Sequence, residues 1–164
     1  MKIVETAREF IGQKEQPGNK FDDATELGQL IHEAGQKDGE AWCSYFAEAV
    51  CKKAYPHKAG DIQRLFSPSA VKTFKNFVND DFTVTAAPQV GALVIWRRYQ
   101  AGKPQWQGHA GIVTEVTVTG FKSVEGNSNA AGSRDSDSVV ENTRTDIYKA
   151  DGLSVMGFID LNYE

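Results

Sequence analysis

The chain has 164 residues, of which 40% are hydrophobic and 24% are charged, and its formal net charge is −4. This composition is typical of a globular protein with one apolar core, and it argues against a disordered, collagen-like or disulfide-stapled chain. No run of Lys or Arg is interleaved with aromatic residues, so the charge pattern of a nucleic-acid-binding protein is missing. We therefore expect a single domain over residues 1–164 and no nucleic-acid partner.

The sequence contains no stretch that is long and apolar enough to span a bilayer, and we expect no membrane partner. Charged residues interrupt segment 1–9 too early for the apolar core of a signal peptide, which predicts synthesis in the cytoplasm. The two cysteines, Cys43 and Cys51, would lie about 12 Å apart along one helix axis. They are too far apart to pair, which suits a reducing compartment or a secreted enzyme with a reactive thiol.

Helical periodicity predicts four helices in the first half of the chain. The first carries apolar residues between positions 3 and 11 and ends at Gly12. The second opens with a capping box led by Asp23. The third contains both cysteines and ends before Pro56, because the residue preceding proline disfavours helix. The fourth begins at Ser67, which we interpret as its N-cap.

From residue 82 onward the hydrophobic period changes from helical to alternating, which predicts strands. We expect them at residues 82–85, 90–99, 110–117, 121–125, 139–148 and 153–159. Residues 126–138 are rich in Gly, Ser, Asn and Asp, and this composition predicts a surface loop. Helices followed by strands predict an α+β fold in which N-terminal helices pack on a C-terminal antiparallel β-sheet.

Cys43 lies in the first turn of the third predicted helix, directly after a polar loop. First-turn N–H groups lack partners within the helix and the dipole is positive there, so a thiolate would be stabilised below its usual pKa of roughly 8.5. The same N–H groups could bind an oxyanion. Alternatively, Cys43 is an unreactive core residue, because it shares a helical face with Phe46 and Val50. Cys51 lies in mid-helix, and we interpret it as a core residue.

Among the three histidines, His109 stands apart because glycine and alanine flank it at the start of a predicted strand. A hairpin with a three-residue turn at 118–120 would place His109 one diagonal step from Asn127, with Glu125 further along the same face. Either side chain could then orient the imidazole. Taken singly, each segment also fits a strand edge and a bulge, but together with the helix-start cysteine they favour catalysis.

Several motifs resemble, in the same order, those of CHAP domains, the cysteine, histidine-dependent amidohydrolases/peptidases of the papain-like NlpC/P60 superfamily. The motifs are Trp42-Cys43, Gly108-His109-Ala110-Gly111-Ile112-Val113, Val124-Glu125-Gly126-Asn127 and the shorter segments 15–19 and 157–159. The resemblance spans nearly the whole chain, and its most specific part is the Glu-x-Asn that follows the histidine strand. It implies a papain-like domain.

The resemblance also implies site residues and an activity. Cys43 would be the nucleophile and His109 the base, with Glu125 and Asn127 completing the site. The implied substrate and partner is peptidoglycan, cleaved at an amide bond of the stem peptide or cross-bridge by an amidase or endopeptidase. Thiolate, imidazole and preorganised donors cover this chemistry, so we expect no cofactor and no metal. The segment Asp135-Ser136-Asp137 lacks the complete ligand spacing of a calcium loop.

Other functions fit the same motifs. The chain could act as a Cys-His amidase or protease on another amide, or as a non-catalytic wall-binding module of the same fold. We expect a monomer that acts on the cell wall in the periplasm or outside the cell. A phage endolysin, an injected antibacterial effector and a wall-remodelling enzyme all agree with the sequence. An effector would have an immunity protein as a further partner.

Overall fold

The architecture was obtained from a computed structural model that describes residues 1–128, 137–145 and 147–163. Within these ranges five α-helices and one short 3-10 helix precede six strands. The helices are α1 (Lys2–Arg8), α2 (Glu26–Glu33), α3 (Cys43–Ala54), α4 (Ala59–Leu65) and α5 (Ala70–Asn79), with the 3-10 helix at Pro56–Lys58. The strands are β1 (Val84–Thr85), β2 (Leu93–Gln100), β3 (Lys103–Thr117), β4 (Gly120–Ser128), β5 (Ser138–Arg144) and β6 (Gly152–Ile159).

The strands form one sheet in the order β1-β6-β2-β3-β4-β5. Every neighbouring pair in this sheet is antiparallel. The predicted class is therefore confirmed: the fold is α+β, with helices in the N-terminal part and an antiparallel sheet in the C-terminal part. Within the described ranges, no helix combines the length and the hydropathy that crossing a bilayer requires.

The sheet has an apolar cluster on each of its two faces. Along β2, Leu93 and Ile95 belong to the larger cluster, which also contains the buried side of α3, whereas Val94 and Trp96 belong to the smaller one. This division follows from the alternation of side chains along a strand. Cys51 is completely buried in the larger cluster, as predicted, and burial raises the pKa of its thiol far above the usual value.

The helices depart from the predictions in four places. α1 ends at Arg8 rather than at Gly12, and turns occupy residues 9–12. The N-cap of α2 is Thr25 rather than Asp23, and the N-cap of α5 is Ser69 rather than Ser67. In each case the true N-cap lies two positions after the predicted one. Its hydroxyl accepts from a backbone N–H of the first turn that has no partner within the helix. Helix α4 (Ala59–Leu65) was not predicted, because one short stretch between two turns carries too few apolar residues to show a period.

Strand boundaries also depart from the predictions. β5 ends at Arg144 rather than at residue 148. β3 begins at Lys103 rather than at residue 110, so His109 lies inside the strand and not at its start. Residues Gly126 and Asn127, which were predicted to lie in a loop, belong to the end of β4. The rest of that predicted loop mostly lies outside the described residues, and so do Asp135 and Ser136 of the calcium alternative.

The segment after α1 runs alongside β5 and leads the chain towards the start of α3. The Gly12 N–H donates to the Val139 carbonyl oxygen, and the Val139 N–H donates to the Gln13 carbonyl oxygen, both at 2.9 Å. The Glu15 N–H then donates to the Asp137 carbonyl oxygen at 2.9 Å. These bonds cover part of the exposed edge of the sheet, and they fix the position of Glu15.

Candidate active site

Cys43 occupies the first position of α3, and Trp42 is the N-cap residue of this helix. The first helical hydrogen bond runs from the Phe46 N–H to the Trp42 carbonyl oxygen at 2.8 Å. The N–H groups of the turn before it have no acceptor within the helix, and the helix dipole adds partial positive charge there. Cys43 is only 4% exposed, yet it lines an open cleft. This position suits a stabilised thiolate that a ligand in the cleft can reach.

Trp42 fixes the start of α3 against the sheet and the N-terminal segment. Its indole Nε1–H donates to Glu15 Oε2 at 2.5 Å, and its backbone N–H donates to Asn127 Oδ1 at 2.9 Å. Gly126 permits the close approach of α3 to β4, because a Cβ atom there would lie 2.6 Å from the Trp42 ring and 2.7 Å from Phe46. Two hydrogen bonds and a contact that requires glycine therefore determine where the helix begins.

His109 has no exposed surface, and its imidazole contacts both a thiol and a carboxylate. Its Nε2 lies 2.9 Å from Glu125 Oε2, and the imidazole N–H donates in this bond because an ionised carboxylate can only accept. Cys43 interacts with the same imidazole as a hydrogen-bond partner and, when ionised, as a negative charge. Nδ1 has no hydrogen-bond partner of ordinary geometry among the described residues, which leaves this nitrogen to the thiol.

Glu125 is the centre of a buried polar network on β4 and β5. Its Oε1 accepts from Ser123 Oγ at 2.7 Å and from Arg144 Nε at 2.9 Å. Its Oε2 accepts from His109 and, at 3.2 Å, from Asn142 Nδ2. A terminal guanidinium nitrogen of Arg144 also donates to Oε2. Both oxygens of this fully buried carboxylate are therefore satisfied.

These contacts set the charge states of the site. Burial alone would lower the pKa of His109, but the hydrogen bonds and negative charges of Cys43 and Glu125 outweigh burial and raise it to about 9. Burial alone would raise the pKa of Glu125, but the hydrogen bonds and positive charges of His109 and Arg144 hold it well below its usual value. At neutral pH the imidazole is therefore protonated and the carboxylate is ionised.

The aromatic side chain of Trp96 covers this charged group. The Trp96 ring is tilted against the imidazole of His109, with 5.4 Å between the ring centroids. The guanidinium of Arg144 lies over the same indole, 4.8 Å from the ring centroid. Trp96 is almost completely buried, so it keeps water from the imidazole and from the ion pair behind it, which strengthens their interaction.

The predicted hairpin register, in which Asn127 lies nearest to His109, is wrong. The turn has two residues rather than three, because Thr117 pairs with Gly120. A bulge at the end of β4 gives Asn127 a left-handed φ of 55°. Its side-chain oxygen consequently binds the N–H at the start of α3, and the imidazole is bound by Glu125 instead.

Gly111 provides the room that the contact between Glu125 and His109 needs. A Cβ atom at Gly111 would lie only 2.9 Å from Cγ of Glu125. Gly111 and His109 project to the same face of β3, since they are two residues apart. The glutamate side chain therefore crosses the strand at the glycine to reach the imidazole beyond it.

The cleft beside Cys43 has a volume of about 440 Å³. Its walls include Glu40 from the loop before α3, Ser69 at the start of α5, and Trp106 and Gly108 from β3. Trp106 is 75% exposed, which is unusual for so large an aromatic side chain. A separate cleft of about 390 Å³ near α4 contains none of the predicted site residues.

Several residues around the site were not predicted from the sequence. Ser123, Asn142 and Arg144 bind Glu125, and the available signal was the alternation of polar residues along two otherwise apolar strands. Glu40 and Trp106 line the cleft, and no local pattern in the sequence identifies them. All four predicted site residues do meet around the start of α3, the middle of β3 and the end of β4.

This arrangement of helices, antiparallel sheet and a cysteine paired with histidine is consistent with the papain-like class of α+β proteins. The family model of the CHAP domain matches residues 35–127. This match covers more than half of the chain and includes all four predicted site residues, so the chain belongs to the CHAP domain family. Searches of curated proteins and of solved structures each found no match. CHAP domains are generally hydrolases, either amidases or peptidases, and the family points to a role related to peptidoglycan.

Proposed function

We propose that this chain is a peptidoglycan hydrolase that cleaves an amide bond in the stem peptide or cross-bridge by cysteine nucleophilic catalysis. The observation that supports this proposal is the buried chain of contacts from Cys43 through His109 to Glu125, at the floor of an open cleft. A thiol, an imidazole and an orienting carboxylate are the groups that amide hydrolysis through a thioester requires. Family membership favours peptidoglycan as the source of the amide.

In the proposed reaction, the Cys43 thiolate attacks the carbonyl carbon of the scissile amide. The tetrahedral oxyanion forms at the start of α3, where first-turn N–H groups, including that of Cys43, and the helix dipole stabilise it. The His109 imidazolium gives its proton to the departing amine, and an acyl thioester remains on Cys43. The neutral imidazole then takes a proton from water, which attacks the thioester and releases the carboxylic acid and the thiolate.

Glu125 and Asn127 have separate parts in this proposal. Glu125 holds the imidazole by its Nε2 and stabilises the imidazolium, so it acts through His109. Asn127 accepts from the backbone N–H of Trp42, and it therefore positions the residue that precedes the nucleophile. Asn127 also donates from Nδ2 to Asn19 Oδ1 at 3.4 Å. Both are positioning residues, because Glu125 acts on the imidazole and Asn127 acts on the residue before the nucleophile.

All of these residues belong to one chain, so a monomer is sufficient for the proposed reaction. We further propose that the protein acts on the cell wall, in the periplasm or outside the cell. Neither proposal requires a cofactor, since the thiolate, the imidazole and the helix-start donors supply attack, proton transfer and charge stabilisation.

Digestion of purified sacculi tests the proposed function. Sacculi are incubated with wild-type protein, Cys43→Ala or Cys51→Ala, and new amino and carboxyl termini are identified by mass spectrometry. We expect the wild type and Cys51→Ala to create the same termini at one type of amide bond, and Cys43→Ala to create none. Sacculi that stay intact with the wild type would contradict the substrate assignment. Hydrolysis by Cys43→Ala would contradict the mechanism.

A further inference from the structure

The cleft beside the nucleophile carries a single kind of charge. Among the described residues that line it, Glu40 is the only one with an acidic side chain and none is basic. Glu40 lies in the loop just before α3, close in sequence to Cys43. The Cys43 thiolate is paired with the His109 imidazolium behind it. A ligand group that reaches the Glu40 side of the cleft therefore meets a carboxylate with no basic side chain among the described lining residues, a setting that favours a positive charge there.

Glu40 is held in place by buried groups. The Tyr45 hydroxyl, from the first turns of α3, donates to Oε2 of Glu40. The Glu40 carbonyl oxygen accepts from Gln36 Nε2 at 3.1 Å, and the same amide donates to the Asn19 carbonyl oxygen at 2.8 Å. Tyr45 and Gln36 are both buried. The Glu40 carboxylate is therefore held in a fixed position in the wall of the cleft and does not move freely at the surface.

The hydrogen bond from Tyr45 uses one oxygen of the Glu40 carboxylate, Oε2. The other oxygen, Oε1, can accept a hydrogen bond from a ligand. Burial, together with the hydrogen bond and charge of Glu40, raises the pKa of Tyr45 well above its usual value. The phenol thus remains a donor throughout the neutral range and always occupies Oε2. Among the described residues, Oε1 of Glu40 accepts no hydrogen bond, and Glu40 is partly exposed.

Trp106 gives the cleft an aromatic wall. It is the most exposed of the tryptophans, at 75%, and it lines the same cleft as Glu40 and Cys43. An indole face attracts cations, with tryptophan the strongest of the aromatic side chains. An exposed aromatic face in the same cleft as a carboxylate is a combination that suits an ammonium group.

We propose that this cleft binds a primary ammonium group of the substrate, with Glu40 as its anion and Trp106 as its aromatic wall. This inference rests on the proposed function and refines it: the substrate class is a stem peptide that keeps an unacylated amino group near the scissile amide. That group is either a free peptide N-terminus or the side-chain amine of a diamino acid. Glu40 determines specificity and takes no part in bond cleavage.

The first test uses thiol reagents and needs no peptidoglycan. In a Cys51→Ala background, the rate of Cys43 modification is measured with the cationic 2-aminoethyl methanethiosulfonate and with its neutral methyl analogue. The ratio of the two rates removes differences in intrinsic thiol reactivity. We expect Glu40→Gln to lower this ratio by about fivefold, the upper range for one partly exposed charge pair.

A matched control removes one negative charge elsewhere in the same loop. Asp38 is exposed and does not line the cleft, so Asp38→Asn changes net charge equally without touching the proposed subsite. We expect Asp38→Asn to leave the ratio near the wild-type value. A ratio that is unchanged in Glu40→Gln, or that falls equally in Asp38→Asn, would overturn the proposal.

The second test compares stem peptides whose amines are free with peptides acetylated at the N-terminus, at the diamino-acid side chain, or at both. We expect kcat/KM of the wild type to fall on acetylation of one of these amines, which identifies the group that is bound. Glu40→Gln should lose this preference and cleave the acetylated peptide as well as the wild type does. Equal cleavage of free and acetylated peptides by the wild type would overturn the ammonium site but leave the hydrolase proposal standing. If no peptide is cleaved, the hydrolase proposal fails, and the reagent ratios still decide the ammonium site.

Discussion

Glu125→Gln removes the charge that faces His109 and keeps the size and the hydrogen-bonding oxygen of the side chain. The two groups are fully buried and in contact at 2.9 Å. An opposite charge at such short range shifts a pKa by about 1 to 3 units, and each unit corresponds to about 1.4 kcal/mol. We therefore expect the substitution to lower the pKa of His109 by about 1 to 3 units. Arg144 loses its counter-ion in this variant, and its positive charge acts in the same direction.

The shift is measured by NMR titration of histidine-labelled protein. A Cys43→Ala background removes the coupled titration of the thiol, so the imidazole titrates by itself. The signals of His32 and His57 serve as internal references, since both lie away from the site. In Arg144→Gln/Glu125→Gln, part of the shift should be recovered because the uncompensated cation is gone. A His109 pKa that is the same with and without Glu125 would refute the account of the ion pair.

Glu125→Gln should also change how the free energy of unfolding depends on pH. The pKa of Glu125 is lower in the folded protein than its usual value of 4.5, so its contribution to stability is present above pH 4.5 and is lost as the pH falls through the folded value. Glu125→Gln also removes the carboxylate from the partly buried guanidinium of Arg144, and the loss of a hydrogen-bonded charge partner costs about 1 to 3 kcal/mol. Denaturant titrations should show the wild type more stable at neutral pH, and the difference should shrink in acid. A difference that is constant with pH would contradict the depressed pKa.

Three further predictions follow from individual contacts. Iodoacetamide should modify Cys43 in the native protein and spare the buried Cys51; equal modification of both would count against the assignment of the nucleophile. Gly111→Ala should lower kcat about tenfold or more with little change in KM, because the added methyl group displaces the Glu125 carboxylate; unchanged kcat would show that this glycine has no such part. Asn127→Ala should lower the free energy of unfolding by about 1 to 3 kcal/mol, because a buried backbone N–H loses its acceptor; an unchanged denaturation midpoint would contradict the contact.

The fold class could be predicted from the sequence because the hydrophobic period changes once, from helical to alternating, near residue 82. The residues at which helices and strands begin and end were harder to predict. Ser67 and Ser69 are both good capping residues, and only the geometry of the turn decides which hydroxyl reaches the helix. Helix α4 is about two turns long, which is too short for its period to stand out against the turns on either side.

The candidate site was predictable where a residue type and a local motif coincide, as they do for Cys43 at a helix start. The orientation of Glu125 and Asn127 was not, because a bulge and a two-residue turn change which side chains face the histidine. The bulge lies beside α3, as the close contact at Gly126 shows, so it depends on packing that no local sequence pattern reveals. Arg144 lies on a strand that is distant in sequence from the cysteine, and strand pairing alone brings it to the site.

The central claim is that Cys43 becomes acylated during hydrolysis, and mass spectrometry of the acid-quenched reaction tests it most directly. Protein is mixed with excess peptidoglycan fragments, quenched in acid to preserve thioesters, and digested for peptide mapping. We predict that the peptide containing Cys43 gains the mass of the acyl fragment, that hydroxylamine removes this mass, and that the Cys51 peptide is unmodified. Turnover of the fragments without any adduct on Cys43, or with the adduct on another residue, would contradict the account.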